Sequence, residues 1–297
     1  MGLIFLYFLL HGIYIKVILK ALNYDITLRK GMFYAAAEFY FSGITPSATG
    51  GQPVQLYYMT KDNIPIRKSY ITLLLNTVYF KLIMLLFGIL VLAFGRSYVF
   101  GGAAIYRICF FFGFAVDVVF VSLGALLLFK VSFVEYMYKK FAGFLKGRKF
   151  FGKTISEDPR VIEKYKDEIE FIKSHKKLVV ITFFVTLLQR TALFSIIYVI
   201  YAALGCSGFG FIEILVIQLS VQLAIESLPT PGGTGVSESM LHSIFRMIFS
   251  VETADIGMLL TRTFSFYVPL ILCGLSVPVH YLAEKASRRR RRRSKLR

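Results

Sequence analysis

The sequence predicts an all-α polytopic membrane protein: a helical bundle with two inverted, re-entrant hairpins broken by Gly and Pro. Three observations carry that prediction. The chain of 297 residues is 56% hydrophobic, with a mean hydropathy of +0.65 and 18% charged residues, below the roughly 25% typical of a soluble domain. Its apolar residues fall in runs of about 18–28, long enough to cross about 30 Å of hydrocarbon, and several runs are apolar on every side. Two runs are interrupted at mid-length, by SGITPSATGGQP and by PTPGGTG.

Taken in order, residues 3–22 form a first span. Residues 1–10 resemble a signal-peptide core, but no basic region precedes them and no small-residue cleavage site follows, so the stretch reads as a membrane helix. A polar segment ends in Arg29 and Lys30, and the first broken stretch follows at 31–60. Residues 70–94 and 103–129 are full spans separated by a GRSYVFGG turn. Residues 130–177 form a basic linker in which Asp158 and Pro159 read as a helix N-cap and first helical residue. Ile162, Tyr165, Ile169 and Ile172 then recur at helical spacing, which suits an amphipathic helix on the inner membrane face or a solvated helical linker. A fourth span covers 178–204, the second broken stretch 208–250, and the last span 256–283. The whole chain, 1–297, thus reads as one transmembrane domain with halves at 1–129 and 178–284 and a basic tail at 285–297.

The net charge of +18 sets the orientation. Segments 20–30, 61–68, 130–177 and 285–297 are all basic, while 95–102 and 251–255 hold only Arg96 between them. All four basic segments share the cytoplasmic side, as the positive-inside rule asks, only if each broken stretch enters and leaves on one side. The stretch 31–60 then dips in from the cytoplasm and 208–250 from outside. Their arms are too short to span, at about 15 residues for 236–250 and fewer for 52–60. Hairpin followed by span occurs twice with opposite orientation, an inverted repeat of the kind that places a transporter's site at broken helices near the midplane. Irregular backbone at that depth must be buried in protein or line a wet cavity.

Candidate chemistry follows from that placement. In the second loop Gly232, Gly233 and Gly235, after Pro229 and Pro231, allow a tight turn whose amides and helix dipole suit an anion such as phosphate. Thr49, Gly50, Gly51 and Gln52 repeat the design between Pro46 and Pro53, although in either loop the glycines could serve a tight reversal alone. Charges at depth are costly and mark a pathway or a structural pair. Glu226 and Glu238 flank the second loop and suit a cationic headgroup; Arg190 and Arg262, at mid-span, suit a phosphate, with an Arg190–Asp117 ion pair as the alternative for Arg190. Glu38, Lys81 and His242 complete the intramembrane set, whereas Arg107, Glu213 and Arg246 lie near span ends and can snorkel.

Several classes drop out. Cys109, Cys206 and Cys273 have neither metal-ligand nor CxxC spacing, and no GxSxG, HExxH, Walker or dinucleotide fingerprint is present. No cofactor or metal is expected. The run Arg288–Arg293 beside a span anchors the tail inside and touches anionic lipid rather than nucleic acid.

The segments PSATGGQPVQLYYM, LPTPGGTGVSE and TRTFSFYVPLILCG resemble the lysylphosphatidylglycerol synthase transmembrane region, the flippase part of the multiple peptide resistance factor family, over nearly the whole chain. The resemblance implies translocation of aminoacylated phosphatidylglycerol across the bacterial cytoplasmic membrane, which lowers surface negative charge and protects against cationic peptides. It carries over Thr49, Gly50, Gly51, Gln52, Pro231, Gly232, Gly233, Gly235, Glu238, Arg262 and Pro269. Members usually begin with one more helix, so 3–22 corresponds to their second span. Bifunctional members continue into a soluble transferase domain that uses charged tRNA, where this chain has its arginine tail. The expectation is therefore a phospholipid flippase with a cytoplasmic C-terminus, whose partners are anionic or aminoacylated phospholipids and a separate synthase or a second copy. The alternatives are a phosphatidylglycerol lysyltransferase, by family name, and a non-transporting membrane partner of a synthase.

Overall fold

The computed structural model describes residues 1–101, 104–145, 149–150, 153–154, 159–226, 245–246, 248–249 and 253–294. Among them the fold is helical apart from a two-residue ladder pairing Lys149–Phe150 with Lys153–Thr154. Helices α1 (Gly2–Ala21), α4 (Ile66–Phe94) and α6 (Ala104–Phe129) are each long and apolar enough to cross a membrane. So are two composite rods. One runs through α9 (Lys176–Phe194) and α10 (Ile196–Ala203), the other through α12 (Ala254–Arg262) into α13 (Val268–Ser294). These are the five spans read from the sequence. Along α6, Ile108, Phe111, Phe112, Val119, Phe120 and Leu123 are exposed, as lipid-facing positions must be.

Between α1 and α4 the first broken stretch folds as a helical hairpin. Its arms are α2 (Leu28–Ile44) and α3 (Gly51–Lys61), joined by a 3₁₀ turn over Pro46–Ala48. The open ends are tied together at Asp62, which accepts from Tyr34 Oη at 2.5 Å and pairs with Lys30 at 3.0 Å. At the tip the left-handed conformations fall on Ser47 (φ 49°) and Ala48 (φ 54°), not on the glycines. Gly50 has right-handed helical angles, and its amide donates to Thr45 Oγ1 at 2.9 Å, so that amide is not free for an anion. Of the second broken stretch, α11 (Phe211–Glu226) and residues 245–246 and 248–249 are described. The loop with Gly232, Gly233, Gly235 and Glu238 lies outside the described residues.

Other segments differ from the sequence reading. GRSYVFGG contains a short helix, α5 (Arg96–Phe100), with Val99 buried in the core. After α7 (Val131–Leu145), α8 (Pro159–Ser174) begins at Pro159 and buries Tyr165, Ile169 and Ile172 against α4 and α9. These three residues of its apolar face are covered by protein, and Ile162 is half-buried. The last helix continues through the arginine run to Ser294.

Two large apolar cores organise the bundle, beside a small third one of Ile4, Ile196 and Ile200. One holds Tyr14, Ile18, Tyr34, Ile71, Tyr79, Leu128 and the buried face of α8; the other holds Ile83, Phe87, Phe110, Phe194, Ile197 and most of the buried face of α11. Along α4, α6 and α9 the chain passes from one core to the other, and the layer between them is polar.

Candidate functional site

His11, Lys81, Asp117 and Arg190 each stand within about one residue of the midpoint of their spans. Around this level the described residues line a partly open cavity of about 780 Å³. Four helices present polar stripes to it at one-turn spacing: Glu38 and Ser42 on α2, Thr77 and Lys81 on α4, Gln218, Gln222 and Glu226 on α11, and Thr261 with Ser265 at the end of α12. Residues four apart stack on one helix face, so each stripe makes a continuous polar wall in an otherwise apolar helix. After Arg262 the backbone widens into a π-helical turn over Thr263–Tyr267, a deformation frequent at functional sites. It turns Ser265 and Phe266 into the chamber along with Arg262.

Close packing at Gly113 positions the acids. A Cβ there would run into the carbonyl oxygen of Leu223, so only glycine lets α6 rest on the α11 backbone. One turn further along, α6 carries Asp117 and α11 carries Glu226, and Lys81 reaches both from α4. Its Nζ lies 2.7 Å from Asp117 Oδ1 and also donates to Glu226 Oε1. Asp117 is fully buried, whereas Glu226 and Lys81 line the chamber.

Arg190 is held differently. Its guanidinium stacks over Phe80 at 4.1 Å and contacts Tyr7 Oη at 3.4 Å, and its Nε has no hydrogen-bond partner. No carboxylate lies within ion-pair distance of it among the described residues, so the Arg190–Asp117 pair does not form: Asp117 is taken by Lys81. Glu38 faces the chamber from α2, with His11 Nδ1 3.9 Å behind it. Arg262 enters from the far wall, its guanidinium 5.7 Å from the Phe266 ring.

Of the residues singled out in the sequence, Glu38, Thr49, Gln52, Lys81, Arg190, Glu226 and Arg262 share this chamber. Gln52 donates to Thr77 at 2.6 Å and fastens the hairpin tip to α4. Gly50 and Gly51 open α3 beside it, and Gly51 is buried where a Cβ would lie 2.7 Å from the Glu38 carbonyl oxygen. Sequence reasoning passed over Tyr7, Gln218, Gln222, Thr261 and Ser265. The signal for the glutamines was present, a polar residue every fourth position ending at Glu226 within an apolar run.

Helices, lipid-facing surface and a charged chamber at mid-depth define a multi-pass helical membrane protein with an internal polar site. The chain belongs to the family described as the lysylphosphatidylglycerol synthase TM region, which it matches over residues 1–273. It is also similar to a UPF0104 membrane protein of Archaeoglobus fulgidus, at 22% identity over 293 residues that cover 94% of this chain and 84% of that protein. No solved structure matches it.

Proposed function

We propose that the chain is a phospholipid flippase of the cytoplasmic membrane. It moves aminoacylated phosphatidylglycerol or a related lipid between leaflets and so contributes to resistance against cationic antimicrobial peptides. One observation carries this reading: one chamber at mid-depth brings Arg190, whose guanidinium has no carboxylate within ion-pair distance among the described residues, together with the acid-rich cluster at Glu226. A headgroup with a phosphate and an ammonium group presents the two complementary charges, and charges at this depth are kept where they meet a counter-ion or a substrate. The acyl chains have a path beside the chamber, because Phe112 and Phe120 line it while lying exposed on the lipid-facing side of α6.

In this reading both hairpins are re-entrant, 31–60 from the cytoplasm and 208–250 from outside, and the arginine tail is cytoplasmic. Lys30 and Asp62 meeting at the open end of the first hairpin supports that arrangement. Cysteines placed at Arg29 and at Lys61 are expected to label from the same face; labelling from opposite faces removes the inverted repeat.

The direct test is a leaflet-resolved assay in proteoliposomes containing the purified chain and lysylphosphatidylglycerol. Faster transfer between leaflets than in protein-free vesicles supports the flippase. Lysyl lipid made from charged tRNA by the same preparation points to a transferase, and transfer at the protein-free rate refutes the proposal.

A further inference from the structure

We propose that Lys81, Asp117 and Glu226 form a proton–ammonium exchange site, in which one carboxylic acid is protonated while the chamber is empty and gives up its proton when an ammonium headgroup arrives. The proposal rests on reading the chamber as a headgroup site and adds how the site keeps its charge balanced.

The case starts from a count of charges. Two carboxylates accept from one ammonium nitrogen, so with both ionised the cluster carries an excess negative charge. Each also has an oxygen, Asp117 Oδ2 and Glu226 Oε2, that is buried without a hydrogen-bond partner among the described residues. Two acids crowded onto one site do not both stay ionised away from water; one of them takes a proton.

No second cation of the described residues relieves the excess. On neighbouring helices, α9 brings Arg190, which is turned to Phe80 and Tyr7, and α1 brings Tyr7 and His11, the latter beside Glu38 of α2. Arg262 enters from α12 across the chamber and packs on Phe266. Of the other helices packed on α4, α6 and α11, α10 carries only Tyr198 and Tyr201 as titratable groups. On α3, α5, α7 and α8, Lys61 lies near Tyr281, Arg96 over Phe100, Lys139 pairs with Glu135 and Lys166 with Glu170.

The exchange balances. The O–H bond of the protonated acid breaks, its proton passes to water in the chamber, and the freed carboxylate takes the ligand's ammonium group as its counter-ion. The cluster is neutral before, with one ammonium and one carboxylate, and neutral after, with two of each. Glu226 meets the ligand because it lines the chamber, while Asp117, fully buried, does not. A lipid without an amine brings no positive charge and leaves the proton in place.

The test uses the full chain in phosphatidylcholine nanodiscs, with lysylphosphatidylglycerol and phosphatidylglycerol as probes. Infrared difference spectra are expected to show a carboxylic acid C=O band near neutral pH that lysylphosphatidylglycerol discharges and phosphatidylglycerol does not. A pH-indicator dye should record a proton released for each lysyl lipid bound. Asp117→Asn and Glu226→Gln each leave Lys81 a partner and keep side-chain shape; either is expected to remove the band and the release. Absence of the band in the empty protein, or lysyl-lipid binding without release, overturns the proposal, and so does a band that no ammonium lipid discharges. Release without leaflet transfer in proteoliposomes keeps the exchange site and refutes the flippase, whereas transfer without release does the reverse.

Discussion

Lys81 and Arg190 stand at the midpoints of packed spans and both touch the Phe80 ring, at 5.2 Å and 4.1 Å, yet their surroundings treat them oppositely. Lys81 has two carboxylates; Arg190 has an aromatic face and a phenol. The contrast separates a charge held by two acids from one with no carboxylate within ion-pair distance among the described residues. An ammonium is a compact, strongly hydrated charge that needs close acids when buried, while a guanidinium tolerates a π-face and keeps donors for a bidentate anion. On the proposed function, this comparison assigns the cluster at Lys81 to stability and proton balance and Arg190 to the lipid phosphate.

The largest effect should follow from removing Lys81. Lys81→Met leaves two buried acids without their cation, and breaking a buried ion pair from one side costs about 3–5 kcal/mol. Thermal unfolding in detergent should show that loss, and adding Asp117→Asn and Glu226→Gln should restore much of it. A Lys81→Met protein as stable as the parent would mean that the cluster does not hold α4, α6 and α11 together.

Arg190→Gln should do the opposite, sparing stability and weakening the ligand. A charge-assisted contact of this kind contributes about 1.5–3 kcal/mol, so Kd for phosphatidylglycerol should rise about tenfold to a hundredfold. Diacylglycerol, which lacks the phosphate, should bind equally to both proteins. An equal loss for the two lipids would make Arg190 a packing residue.

The two cations also show what one dimension of sequence holds. The five spans are legible because lipid imposes length and hydropathy on each helix separately. The first hairpin is legible because Pro46, Gly50, Gly51 and Pro53 interrupt such a run, and Arg190 and Glu226 stand out as charges at depth. Which charge meets which is not written there. The sequence allowed Arg190 to pair with Asp117, but the contact at Gly113 sets the register of α6 on α11 and delivers Asp117 to Lys81. The π-helical turn after Arg262 is equally hidden, since TRTFSFY has no Pro or Gly to announce it. The first of these features arises from a contact between helices distant in the chain.

Gly51 sharpens the contrast from the hairpin side. Its place between Ser42 and the Glu38 carbonyl brings α3 close enough for Gln52 to reach Thr77. Gly51→Ala should cost about 1–3 kcal/mol by overpacking and should weaken binding of both lipids, since the tip moves as a unit. If only the anionic lipid suffers, Gly51 acts on the phosphate rather than on the fit of the arms.

The smallest effect is expected where the same pairing of ammonium and carboxylate stands near water. Lys30 and Asp62 lie 3.0 Å apart, but Lys30 is 43% exposed, and such a pair contributes only about 0.2–1 kcal/mol. Burial pushes the Asp62 carboxyl up, yet the hydroxyl of Tyr34 and the ammonium of Lys30 outweigh it and hold the group below its ordinary value. A depressed folded value means that the unfolded chain binds its proton first as the pH falls. The stabilisation is therefore fully present above the unfolded carboxyl value of about 3.9 and fades as pH drops through the folded one. A double-mutant cycle of Lys30→Ala with Asp62→Asn near pH 7 should give a coupling within that small range, and most of it should disappear in concentrated salt. Salt should leave the Lys81 loss nearly unchanged, because a buried cluster is poorly screened. A Lys30–Asp62 coupling as large as the Lys81 effect, or a Lys81 effect erased by salt, would show that depth in the bundle is not what separates these charges.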